Sequence, residues 1–236
     1  MTEATLPRNS FYRVAGICAL LSGLTTFAVH LIPLAWRGAT TFDQQVALRL
    51  NPLYVARLWI VYLHLSLVVV SMLGIALRKL RTSPGPALLG LIGYLLFAFT
   101  ESARVSLSLF AVNGSWRELY ATSSDEATRA AMRTLLLGWP GINDALFVLF
   151  MLGFAFGNLS YAIATWRSEG IEKAISVALL IWAMIGAYEI AQFASRESRL
   201  WPLPEWLSYT FQPAVRFLIG VWLVSTPPLA NTLPGR

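Results

Sequence analysis

The sequence predicts an all-α fold, a polytopic transmembrane helical bundle of six spans. Of its 236 residues, 56% are hydrophobic and only 13% are charged, whereas soluble domains carry about 25% charged residues. The mean hydropathy is +0.60. A soluble fold with so few polar side chains could not cover its own apolar surface. Strands of a membrane barrel alternate polar and apolar residues over about ten positions, and no segment of this chain alternates for that long.

Six segments are apolar over the length that a helix needs to cross a bilayer, which is about 20 residues. We treat residues 1–236 as a single integral membrane domain. The connections after the second and fourth spans are short and basic, whereas the other three are long and mix charges. Because short basic loops favour the cytoplasm, both termini are predicted to be cytoplasmic. The predicted spans are Val14–Trp36, Leu58–Leu77, Ala87–Val112, Ile142–Trp166, Ala174–Ala194 and Leu207–Ser225.

The long connections are predicted to contain short amphipathic helices. Thr41 is followed by Gln44, and Ser123 is followed by Glu126, each with the spacing of a capping box at a helix start. The second box would open a separate helix over Glu126–Leu137. Short helices of this kind typically lie on the membrane face, where they either pack as plain connections or cover a pocket.

Polar residues inside the spans indicate where chemistry would lie. They come late in the odd-numbered spans and early in the even-numbered ones, so all six spans place them in the half of the bilayer under the long loops. Charged groups buried in a membrane are costly and usually line a cavity. The candidate acid–base residues are Glu101, Glu189 and Asp144, and the candidate binding residues are Arg104, Arg216, His64, His30, Asn143, Gln192 and Gln212.

The charges in this cluster leave two interpretations open. Three acids against two arginines give −1 if both histidines are neutral, which a protonated carboxyl, a protonated histidine or a bound cation would balance. Alternatively, Glu101 with Arg104 and Glu189 with Arg216 form buried ion pairs that only fix the helix register. Convergence of six spans at one depth favours the pocket.

A pocket open to lipid with carboxyl groups at its polar end suits proton transfer on a lipid or isoprenoid, such as double-bond isomerisation or cyclisation. Such reactions need an acid, a base and aromatic faces that stabilise a developing cation. Possible aromatic walls are Trp139, Trp182, Tyr188 and Phe147. The expected partners are membrane lipid and a hydrophobic small molecule, without nucleic acid. No cofactor or metal is expected for this chemistry.

Two other functions remain possible. His30 and His64 lie on consecutive spans at similar depth and could bind haem b as axial ligands, with Arg104 and Arg216 near its propionates. A transporter, sensor or ligand-binding module is the non-catalytic alternative. The single cysteine, Cys18, excludes an intramolecular disulfide and a cysteine metal cluster.

The opening Arg13-Val-Ala-Gly16, the first span, the long first loop and the six-span layout resemble a family of small bacterial integral membrane proteins of unknown function. The resemblance covers roughly residues 11–195 and contains no catalytic motif. It implies a protein of the bacterial cytoplasmic membrane and no particular activity. The last span, with Gln212-Pro213 and Arg216, departs from that family.

Overall fold

A computed structural model describes residues 8–36, 38–195 and 204–225. Their secondary structure is helical, with no strand in those ranges. Two short 3-10 turns, Ile32–Trp36 and Leu48–Leu50, and a π-helical segment, Leu107–Trp116, interrupt the α-helices. The α-helices are α1 (Arg8–Leu31), α2 (Phe42–Ala47), α3 (Pro52–Lys79), α4 (Pro84–Ser106), α5 (Arg117–Thr122), α6 (Glu126–Thr165), α7 (Gly170–Ser195) and α8 (Glu205–Ser225).

Five helical segments are long and apolar enough to span a membrane, which is compatible with an integral membrane protein. Their outer surface is apolar: Phe99 and Phe110, for example, expose 76% and 63% of their area. Helix α8 is not among the five, so the sixth span and the orientation of the termini stay predictions. The five segments are Ser10–Trp36, Pro52–Lys79, Pro84–Thr122, Glu126–Thr165 and Gly170–Ser195.

The principal helix contacts join α4 to α6, α1 to α8, α6 to α7, α1 to α3 and α3 to α4. Small residues allow the closest of these approaches. A Cβ on Gly93 of α4 would lie 2.6 Å from the backbone nitrogen of Gly157, and one on Gly153 would lie 2.7 Å from that of Phe97. The glycine pair of α6 therefore packs backbone against backbone on α4.

Helix starts follow the local sequence. Asn51 caps α3, its side-chain oxygen accepting from the amides of Leu53 at 2.9 Å and Tyr54 at 3.2 Å. Pro52 then occupies the first turn, where a missing N–H costs nothing. The capping box predicted at Thr41 is confirmed, because Thr41 and Gln44 exchange both hydrogen bonds at the start of α2.

Two details of the predicted second long loop are wrong. The cap of α6 is Asp125, whose carboxylate accepts from the amides of Ala127 and Thr128. Ser123 instead accepts from the Asp125 amide, so it does not begin the helix. There is also no separate helix over Glu126–Leu137, because α6 runs unbroken for 40 residues through Pro140.

Contacts made by the first turns of α6 explain why the helix continues there. The guanidinium of Arg129 lies 5.5 Å from the ring centroid of Tyr120 on α5, and that of Arg133 lies 5.0 Å from that of Phe42 on α2. Such cation–π contacts hold the N-terminal part of α6 against both short helices. The third predicted span is likewise longer than expected, because the π-helical segment carries it on to α5.

Candidate functional site

A cavity of about 330 Å³, the main cavity, lies among α1, α3, α4, α6, α7 and α8. Its size falls at the lower end of the range for small-molecule sites, about 300–1,000 Å³. Its lining divides into an apolar part, largely from α6, and a charged part contributed by four helices. The apolar lining is Val29, Val61, Leu65, Phe97, Phe147, Phe150, Met151 and Phe154; the polar lining is Thr26, His30, Arg57, His64, Glu101, Arg104, Glu189, Gln212 and Arg216.

Glu101 and Arg104 form an ion pair on one face of α4. Arg104 donates from Nε and Nη2 to the two carboxylate oxygens, at 2.6 and 2.5 Å. Its third nitrogen, Nη1, donates to the Asn143 side-chain oxygen of α6 at 3.2 Å. Glu101 is only 5% exposed. The guanidinium of Arg104 is therefore occupied by protein acceptors, and the ion pair expected between these two residues is present.

Arg216 of α8 is also buried, with 2% exposure, but its surroundings differ. Its Nε and Nη1 are buried and donate no hydrogen bond to any described residue. Two aromatic rings lie against the guanidinium, with centroids 5.0 Å away for Trp182 and 5.9 Å for Tyr94. The alternative pair between Arg216 and Glu189 is not formed, since no carboxylate oxygen of the described residues lies within 4.0 Å of it.

Glu189 of α7 lines the cavity without an ion pair to any described cation. It is thus the cavity carboxylate that is not neutralised by an adjacent arginine, in contrast to Glu101. A carboxyl group in this situation can exchange a proton with a bound molecule at lower cost than one held by two guanidinium hydrogen bonds.

Both histidines line the cavity and both have neighbours. The Nδ1 of His64 lies 2.8 Å from the hydroxyl of Thr25. The ring of His30 packs beside Tyr209 at a centroid distance of 5.4 Å. Among the described residues, no group of three or more histidine, cysteine or acidic side chains could hold a metal ion. Haem b binding through the two histidines stays a prediction.

A second cavity of about 310 Å³ adjoins the first and shares Arg57, Val61 and Arg104 with it. Asn143 and Asp144 line this second cavity rather than the first. Asn143 reaches the main cavity only through its hydrogen bond to Arg104. Gln192 lines neither cavity. The further described lining residues of the second cavity are Trp36, Gln45, Leu48, Tyr54, Leu58, Val105, Ser108, Arg117, Trp139 and Pro140.

Arg57 is a lining residue that the sequence analysis did not identify. It lies in the second turn of α3, one residue before the predicted start of that span at Leu58. Its Nε donates to the Val29 carbonyl at 3.1 Å. Its spacing from Val61 and His64 (i, i+4, i+7) could have indicated a shared face. With Arg57 included and Asp144 lining only the second cavity, three arginines face two glutamates, so the described lining of the main cavity carries +1 with neutral histidines rather than the −1 expected.

Comparison with known proteins found no matching family model, no matching curated protein and no matching solved structure. The resemblance to small bacterial membrane proteins therefore stays a prediction. What the cavity does has to be inferred from its own residues.

Proposed function

We propose that the protein is an integral membrane protein that binds a small lipid-like molecule, such as an isoprenoid, in the main cavity. The observation that supports this is the division of the lining into an aromatic part and a charged part. A molecule with an apolar chain and one polar end would match both. Sites for small molecules typically combine such an apolar wall with a few convergent polar groups.

The aromatic part is a contiguous cluster. The rings of Phe97 and Phe150 lie 4.7 Å apart, Phe147 and Phe150 stack at 5.8 Å, and Phe154 and Trp182 meet edge to face at 4.8 Å. Phe97, Phe147, Phe150 and Phe154 also line the cavity. Their faces would contact an apolar chain or an allylic π-system.

Two variants of α6 test the proposal: one places a larger side chain in the cavity, and the other places the same side chain outside it. Met151 is 5% exposed and lines the cavity, whereas the next residue, Leu152, is 46% exposed and points away from it. Met151→Trp should abolish binding of farnesol, measured by native mass spectrometry of the protein in a neutral detergent. Leu152→Trp should bind farnesol like the unmodified protein. Equal farnesol binding by all three proteins would contradict a ligand in this cavity.

A catalytic role is the second candidate, and Glu189 is the residue that favours it. Its carboxyl group faces the cavity without an arginine partner among the described residues, so it is better suited than Glu101 to deliver or accept a proton. Asp144, in the adjoining cavity, would exchange protons with the ligand only indirectly. The reaction class would be acid–base isomerisation or cyclisation of the bound chain.

Isotope exchange tests that role without knowledge of the product. Farnesol incubated with the protein in D₂O should gain carbon-bound deuterium, measured by mass spectrometry after extraction. Glu189→Gln should still bind farnesol but lose the exchange, because an amide cannot transfer a proton at neutral pH. If the unmodified protein binds farnesol but no deuterium is incorporated, the protein binds the ligand without catalysing proton transfer to it.

A further inference from the structure

Arg216 is a buried cation whose hydrogen-bonding capacity is not used by the described protein. A guanidinium taken out of water loses strong hydration, and a buried charge without a partner is strongly unfavourable. Its Nε and Nη1 nonetheless lack any acceptor among the described residues. The side chain also lines the main cavity; because Nε and Nη1 are themselves enclosed by protein, a molecule there would meet the guanidinium through its remaining nitrogen, Nη2.

Each of the other arginines of this region has at least one protein acceptor. Arg104 donates to Glu101 and Asn143, Arg57 donates to the Val29 carbonyl, and Arg117 donates to the Asn113 side chain at 3.3 Å. The contrast shows that the fold supplies acceptors to neighbouring guanidinium groups. Arg216 is the exception, because its Nε and Nη1 have no acceptor among the described residues.

Two rings lie within cation–π distance of the Arg216 guanidinium. Trp182 and Tyr94 lie against the guanidinium at 5.0 and 5.9 Å, which is the range of cation–π contacts. Guanidinium N–H groups point outward in the plane of the group, in a fork that fits the oxygens of a carboxylate or phosphate. The rings hold the cation in place without saturating those donors.

The charge of the cavities favours the same ligand chemistry. With neutral histidines, the described lining of the two cavities together has a net charge of +1, from Arg57, Arg104, Arg117 and Arg216 against Glu101, Glu189 and Asp144. A ligand with a negative end would therefore meet a lining with an excess of one positive charge. A single negative charge on the bound ligand would balance this excess positive charge.

We propose that Arg216 binds the anionic head group of an acidic amphiphile, a carboxylate or a phosphate monoester, whose chain lies against the phenylalanine cluster. This assignment rests on the proposed function, because it specifies the polar end of the same ligand. It makes Arg216 a ligand-binding residue and not a structural one.

Three probes with the same alkyl chain and different head groups test whether Arg216 binds an anion. Dodecanoate, dodecyl phosphate and dodecanol are titrated against the protein in a neutral detergent, with intrinsic tryptophan fluorescence and native mass spectrometry as readouts. The unmodified protein should bind at least one of the two anions about ten- to a hundred-fold more tightly than dodecanol, the range expected for hydrogen bonds to a charged group. The anion that binds more tightly identifies the head group.

Variants separate a binding role from a structural one. Arg216→Gln should reduce the preference for the anion to within about threefold, and Arg216→Lys should keep part of it. Ligand-free Arg216→Gln should unfold at the same temperature as the unmodified protein or higher, because it removes an uncompensated buried charge. Arg78→Gln is the control, since Arg78 stacks on Trp222 at 4.5 Å, lines neither cavity and should leave the preference unchanged.

Two results would overturn the assignment. If dodecanol binds as tightly as both anions and Met151→Trp abolishes all three, the cavity binds lipid-like molecules but Arg216 does not recognise an anion. If Arg216→Gln retains the full preference for the anion, another cation binds the head group. Failure of all three probes to bind would contradict the proposed function as well.

Discussion

Glu101 and Arg104 pair through two hydrogen bonds one turn apart on α4, and a third bond from the same guanidinium reaches Asn143 on α6. The pair thus joins the two helices that pack most closely; Arg104 lines both cavities and Glu101 lines the main one. It fits a structural role better than proton transfer, since a proton on Glu101 would have to break the contacts that hold Arg104.

Removing the charge of Glu101 should therefore lower stability. Glu101→Gln leaves Arg104 without its counter-ion, and we expect a loss of about 1–3 kcal/mol in the free energy of unfolding, less than for a fully buried pair because Arg104 is partly exposed. The measurement is reversible unfolding in mixed micelles. The double variant with Arg104→Gln should recover part of the loss, whereas an unchanged stability of Glu101→Gln would contradict this role.

The contact of α4 with α6 depends on glycine at a close approach. Gly93→Ala would place a methyl group 2.6 Å from the Gly157 backbone nitrogen and should cost about 1–3 kcal/mol. Gly138→Ala is the matched control on α6, because its added Cβ would meet nothing within 4 Å beyond its own stretch of helix, and it should be neutral or stabilising by up to about 1 kcal/mol. Equal unfolding curves for the two variants would mean that α4 and α6 separate more easily than their contact indicates.

The cap of α6 should respond to pH. Hydrogen bonds from the Thr128 hydroxyl, and then from the amides of Thr128 and Ala127, lower the pKa of Asp125 below its usual 3.8. The ionised cap therefore stabilises the helix start above the ordinary pKa, and this contribution is lost as pH falls through the lowered value. Amide exchange at Ala127 and Thr128, corrected for intrinsic rates, should show reduced protection at the acidic end.

Asp125→Asn provides the control for that titration. The amide oxygen still caps the helix but does not titrate in this range, so protection at the two amides should become independent of pH. The same pH dependence in both proteins would assign it to another group.

Reporter fusions test the topology. Fusions at residues 82 and 170 should lie on one side of the membrane and a fusion at 122 on the other, with the first two predicted to be cytoplasmic. A fusion after Ser225 decides whether α8 crosses: it should lie on the side of residue 82 if there are six spans. A reading on the side of residue 122 would establish five.

The positions of the helices and of most cavity residues follow from the sequence, because apolar length and helical spacing are local properties. The placing of Glu101, Arg104, Glu189 and Arg216 around one cavity was predictable from their positions in the spans. Arg57 was not, since a charged residue beside a predicted span end looks solvated until the neighbouring helices are known. The partners within the cluster also depend on rotamers and helix rotation, which the spacing does not determine.

The continuity of α6 could not be predicted from the local sequence either. A separate helix over Glu126–Leu137 was predicted before the span that starts at Ile142, yet α6 continues without a break through Pro140. Proline removes the hydrogen bond to the Leu136 carbonyl, but contacts of Arg129 and Arg133 with aromatic rings on α5 and α2 support the segment on its N-terminal side. Such tertiary support cannot be read from a local pattern.

The length of α6 has a mechanical consequence. Forty residues at 1.5 Å each extend about 60 Å, roughly twice the hydrocarbon thickness of a bilayer, and helix tilts rarely exceed about 40°. A part of α6 several turns long must then extend beyond the hydrocarbon core if the helix spans the membrane. Because α6 is continuous, a displacement of the helix near Arg129 would be transmitted along it to Phe147 and Phe154. Pro140 is the position at which the helix would bend most easily.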